Sequence, residues 1–154
     1  YDLWSCNNLY WYLTHACSPV TEGLMPYREA DLLRNILDRA DAALKEGKNQ
    51  ATLRFGHESC LLPLVALLEL NHYGESYPDV EKLSEQWRAY DIFPMASNVQ
   101  FVFFHKKGSN DVLVKVLLNE KEAKLPVKTD VAPYYHWKDV ESYYREKLDK
   151  YQHI

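Results

Sequence analysis

A chain of 154 residues, 47% hydrophobic and 26% charged, supports one ordinary globular core and not two comfortable ones. The formal net charge of −4 and the pI near 5.9 exclude a nonspecific nucleic-acid binder, which needs a basic stripe to displace counterions; the lysines from Lys106 to Lys128 are interspersed with acids and apolar residues. The longest apolar run, Leu61 to Leu68, falls well short of the roughly 20 residues a membrane span requires, so neither nucleic acid nor a membrane is an expected partner.

The chain opens on Tyr1, with no basic segment followed by an apolar run, and reads as a mature or cut product without a signal peptide. Leu3 to Cys17 forms an aromatic-rich helix in this reading, closed by Ser18-Pro19 and Gly23. Cys6 and Cys17 would lie about 16 Å apart on that helix at 1.5 Å per residue, and with Cys60 the cysteines number three, so a disulfide framework is not expected. Ala30 to Lys45 is a clearer amphipathic helix, with Leu33, Ile36, Leu37, Ala40 and Leu44 on one face and Gly47 as its stop.

Next comes "TLRFGHESCLLPLVALLEL". Leu53 and Phe55 alternate with Thr52 and Arg54, as in a short buried strand, and Leu61 to Leu70 then recurs at helical spacing. The polar pair His57-Glu58 falls at the junction, where the first turn of a helix leaves N–H groups unpaired and attracts anions. A loop, "NHYGESYPDV", leads to a short helix expected over Val80 to Tyr90. The second half changes character: "NVQFVFFHKK" and "DVLVKVLLN", joined by Gly108-Ser109-Asn110, predict a β-hairpin, with Leu125 and Val127 extending it, and Trp137 to Tyr151 closes the chain as a helix. The order α, α, β, α, hairpin, α is mixed α and β, with Thr52 to Gly56 expected in a parallel sheet. No second βα unit is available to pair with that strand, so the hairpin, an upstream segment of the original polypeptide or another copy of the chain must supply the rest, and an open edge predicts self-association.

At these residues a resemblance becomes visible. "LRFGHESCLLPLVALL" is similar to the C-terminal catalytic motif of the histidine acid phosphatases, the branch of the histidine phosphatase superfamily that includes phytases and multiple inositol-polyphosphate phosphatases. "SPVTEGLMP", "FPMASNVQFVFF", "DVLVKVLLNEKEAKLPV" and "APYYHWKDVESYY" resemble the corresponding stretches of bacterial members, so the likeness covers nearly the whole chain. In that family the phosphate pocket combines an N-terminal Arg-His-Gly-x-Arg-x-Pro motif, carrying the nucleophilic histidine, with a later His-Asp or His-Ala-Glu motif; this chain holds the second alone.

The resemblance implies an α/β fold, the C-terminal part of a phosphoglycerate-mutase-like three-layer α/β/α phosphatase, with residues 1–154 as one partial domain whose N-terminal half is absent. It also implies a periplasmic or extracellular phosphomonoesterase working through a phosphohistidine intermediate, with phytate or other inositol polyphosphates as the implied substrates. His57 would donate a hydrogen bond to a phosphoryl oxygen and Glu58 would protonate the departing alkoxide. Glu58 carries one methylene more than the Asp of His-Asp and lacks the intervening alanine of His-Ala-Glu. Arg54 could face the phosphate or serve as a structural ion-pair partner. Cys60, one turn into an apolar run, reads as a buried small hydrophobe rather than a thiol nucleophile. Leu61 occupies the last position of a His-Glu-x-x-His zinc pattern, and His15, His72, His105, His136 and His153 show no ligand spacing, so no metal or cofactor is expected. The alternative function is a noncatalytic phosphate-binding or interaction domain, because the isolated chain lacks the nucleophile.

Overall fold

A computed structural model describes residues 1–151. Helix α1 spans Asp2–His15 and α2 Ala30–Glu46, the latter ended by Gly47 at φ 66°, a left-handed conformation that glycine adopts without a Cβ penalty. Helix α3 runs Glu58–Leu67, and two single-turn helices follow, α4 at Leu83–Gln86 and α5 at Ala89–Ile92, where one helix over Val80 to Tyr90 was expected. The break lies at Trp87, whose extended backbone buries its indole against Tyr12, ring centroids 5.3 Å apart. Burial of the largest side chain in the segment wins over helical continuity.

The hairpin is as its sequence predicts. Strand β1, Val99–His105, pairs antiparallel with β2, Val112–Leu118, in a register that sets Phe101 opposite Val116 and Phe103 opposite Val114. Alternate residues Val114, Val116 and Leu118 are buried, the period-two signature of a sheet with one packed face. The sheet is extended by β3, Lys121–Glu122, and β4, Tyr135–His136, both antiparallel to β2, and not by Leu125 or Val127. Leu125 is buried, but its N–H is satisfied by the Tyr135 hydroxyl at 3.1 Å, a side-chain bond that replaces a ladder bond. Helix α6, Trp137–Tyr151, closes the fold.

The strand expected at Thr52 to Gly56 is not formed, and the described sheet is wholly antiparallel. Residues 51–57 carry no ladder pairing, and Leu53 and Phe55 stand 76% and 95% exposed. An alternating apolar sequence becomes a strand only where a neighbouring strand takes its N–H and C=O groups and a core takes its side chains. The four strands present lie elsewhere, so the segment has neither.

One core joins the helices to the sheet: Leu33 and Leu37 of α2, Leu62, Leu64, Val65 and Leu67 of α3, Val114 and Val116 of β2, and Val140, Tyr144 and Leu148 of α6. Polar groups fix the joints. The buried Asn8 side chain donates to the Trp87 carbonyl at 3.1 Å and accepts from the Ala89 N–H at 2.8 Å, which ties α1 to the α4–α5 corner. Arg145 of α6 meets Asp38 and Asp41 of α2, both at 3.0 Å, and Glu141 at 2.6 Å.

Candidate functional site

Helix α3 has two unlike ends. Leu62 to Leu67 are buried without a break, so the helix is held by its apolar sequence all round rather than by an amphipathic stripe. Pro63 lies inside it, where proline removes one N–H from the ladder; the burial on either side retains the helix across that gap. At the C-terminal end, α6 supplies the partners that the last carbonyls lack: Lys147 Nζ donates to the Leu67 carbonyl and the Tyr144 hydroxyl to that of Leu68, both at 2.7 Å. Glu69 follows with φ 53°, and there its carboxylate accepts from the Tyr143 hydroxyl and pairs with Lys147 at 3.1 Å. Burial and the Glu69 carboxylate push the Tyr143 phenol far above its ordinary range.

The N-terminal end is open. His57 is the N-cap, extended at φ −116° and ψ 164°, and its carbonyl accepts from the N–H groups of Cys60 and Leu61 at 3.0 Å each. The His57 and Glu58 side chains are exposed and have no hydrogen-bond partner among the described residues. Two adjacent groups able to donate and to exchange a proton therefore stand free at the positive end of a helix that is anchored at its other end.

Arg54 is placed otherwise. Its Nη2 donates to Asn35 Oδ1 of α2 at 2.7 Å, a bond to a neutral amide and not the ion pair weighed against a phosphate role in the sequence. Cys60 is exposed, not buried, because α3 turns its first-turn residues outward and begins its buried run at Leu62. Among the described residues no group of three or more His, Cys, Asp or Glu side chains is placed to hold a metal, and no helix is long and apolar enough to cross a membrane. His153 lies outside the described residues.

One neighbour was not singled out by spacing. His15, the last residue of α1, is buried, with its ring 4.6 Å from that of Trp11. The Thr14 hydroxyl donates its hydrogen to the Tyr10 carbonyl at 2.6 Å, so at its 2.6 Å contact with His15 Nδ1 it accepts, and the ring carries its proton on Nδ1. Burial first, then Arg28, hold His15 below the usual imidazole range, and Glu58 opposes them. Burial thus favours the neutral ring over the imidazolium. Nothing in the local sequence announces it, since the corner around His15 forms only when α1, the turn at Met25–Glu29 and α3 pack together.

A model of the histidine phosphatase superfamily (branch 2) matches residues 27–119. Multiple inositol polyphosphate phosphatase 1 from Homo sapiens is 28% identical over 134 residues, 79% of this chain and 27% of that protein; its Gallus gallus counterpart is 27% identical over 135 residues, 76% and 28%. The chain spans about a quarter of the length of these curated relatives. Among solved structures, the apo form of Bifidobacterium longum multiple inositol polyphosphate phosphatase superposes with a TM-score of 0.76 over 90% of this chain and 30% of that one, at 24% identity, which speaks for the fold. Its complex with inositol hexasulfate gives 0.66 over 77% and 25%, at 26% identity.

Proposed function

The chain belongs to branch 2 of the histidine phosphatase superfamily, and from that premise we propose that it is the C-terminal portion of a phosphomonoester hydrolase acting on inositol polyphosphates through a phosphohistidine intermediate. In the complete polypeptide a nucleophilic histidine from the N-terminal region takes the phosphoryl group. His57 donates to an equatorial oxygen and stabilises the charge that develops in transfer. Glu58, protonated, gives its proton to the departing inositol hydroxyl, a basic leaving group that departs slowly as an alkoxide. Water then attacks the phosphohistidine, with Glu58 as the base that receives its proton, and phosphate is released.

The observation that supports this reading above the others is the state of the α3 N-terminus: His57 and Glu58 are exposed and unpartnered on a helix that is buried from Leu62 onward and anchored at its other end. A capping pair would spend its side chains on the helix's own N–H groups, and His57 makes no such bond. Arg54 gives one N–H of its Nη2 to Asn35, which leaves its remaining guanidinium donors for a phosphoryl oxygen.

The test is kcat/KM of the complete polypeptide for an alkyl and an aryl phosphate. Glu58→Gln should slow the alkyl ester far more than p-nitrophenyl phosphate, whose leaving group departs with little protonation. His57→Ala should depress both together, by about 10²- to 10³-fold for one lost donor. Equal slowing of the two substrates by Glu58→Gln would return Glu58 to a positioning role. The 154-residue chain by itself, which lacks the nucleophile motif, should hydrolyse neither; robust turnover by it, lost on changing His57, would overturn the division of the site between two halves of the polypeptide.

A further inference from the structure

His136 lies in β4, and each of its ring nitrogens meets a carboxylate. Nδ1 is 3.1 and 3.0 Å from Oδ1 and Oδ2 of Asp111, and Nε2 is 2.9 Å from Oδ1 of Asp130. An ionised carboxylate accepts and cannot donate, so both nitrogens must carry hydrogen, and a ring with two N–H groups is the imidazolium. A neutral ring satisfies one of the two aspartates and turns a lone pair toward the other.

The three residues come from three segments, of which the 123–134 connection is also tied by the Thr129 hydroxyl to the Tyr134 carbonyl at 2.7 Å and by the Tyr134 ring against Phe104 at 5.2 Å. Asp111 ends the 106–111 turn between β1 and β2, Asp130 belongs to the 123–134 connection, and β4 is two residues long, joined to β2 through Leu113 with His136 and Val114 with Tyr135. We propose that Asp111, His136 and Asp130 form a pH-operated latch that fastens the hairpin turn and the 123–134 connection to β4 while the ring is charged and frees both when it is neutral.

The surrounding charges permit this. On β2, Lys115 is engaged by Glu122 at 3.2 Å and lies over the Tyr134 ring, and among the described residues the ring's charged contacts are Asp111 and Asp130. Lys138 and Asp139 of α6 follow in the chain and make no bond to it. Asp111 first and Asp130 second raise the proton affinity of His136, and His136 in turn holds the Asp130 carboxyl below its usual range. An imidazole in the unfolded chain titrates near about 6.5. Because the folded value lies above that, the latch's contribution is complete below about 6.5 and is lost as pH rises through the folded value. At the acid end Asp130 acts in the opposite sense, contributing above its unfolded value and failing as pH falls through its lower folded one. The ring is 30% exposed, so water screens the pairs and the consequence is local opening rather than global unfolding.

The experiment follows the ring and the segments separately in the complete polypeptide, by NMR of ¹³Cε1-labelled histidine and by amide hydrogen exchange across the same pH range, corrected for base-catalysed exchange. His136 should titrate above 6.5, its midpoint should fall in Asp130→Asn, and residues 106–112 and 128–134 should exchange several-fold faster as pH passes that midpoint, while α3 does not change. His136→Gln should leave both segments fast at every pH. A ring that titrates at or below 6.5, or segments whose corrected exchange ignores its titration, would overturn the latch, and both readings come from the unaltered sequence even if a variant fails to fold.

Discussion

The anchoring of α3 by α6 is testable with one oxygen atom. Tyr144 is fully buried, and its hydroxyl donates at 2.7 Å to the carbonyl of Leu68, itself fully buried. Tyr144→Phe keeps the ring and its packing and removes the donor, so the loss is that of leaving a buried carbonyl unpaired, about 1–3 kcal/mol. For a domain of this size each kcal/mol moves Tm by about 2–4 °C, which sets the expected fall at about 2–12 °C. Lys147→Met removes the adjacent bond to the Leu67 carbonyl and the pair with Glu69, and because both donors serve one helix end the double variant should not be the sum of the singles. Burial holds the Tyr144 phenol well above its ordinary value, so both folded and unfolded forms are protonated below about pH 10 and the cost should be equal at pH 6 and pH 9. Urea denaturation and calorimetry of the 154-residue chain read these quantities. A Tyr144→Phe variant within about 0.5 kcal/mol of the parent would mean that the Leu68 carbonyl has another partner and that α6 does not fix this end of α3.

Two further outcomes follow from burial. Phe55→Ala should change the stability of the 154-residue chain by less than about 0.5 kcal/mol, since the ring is 95% exposed, and should cost about 3–5 kcal/mol in the complete polypeptide, where strand pairing would bury it; equal effects in both would refute that pairing. Burial pushes the Cys17 thiol to about 11, so iodoacetamide at pH 8 should modify the exposed Cys6 and Cys60 well before Cys17, and mass spectrometry showing Cys17 labelled first would contradict its placement.

Local pattern determined much of this protein. The apolar period of Leu33, Leu37, Ala40 and Leu44 with Gly47 after it defined α2, and two β-rich runs around Gly108 defined a hairpin that the structure forms. The motif His57-Glu58 at a helix start was legible for the same reason: both the helix and its first turn are set by residues within a few positions of one another. What the tertiary structure alone decided is whatever needs a distant partner. Leu53 and Phe55 alternate as a strand does, but pairing requires a neighbour, and without one they are exposed. Trp87 divided an expected helix because its pocket is made by Tyr12, and Arg54 turned to Asn35 on α2. Likewise Asn8 across to Ala89 and His136 across to Asp111 join segments well separated in sequence. Spacing along the chain carries no record of them, because the contacts exist only once the core has folded those segments together.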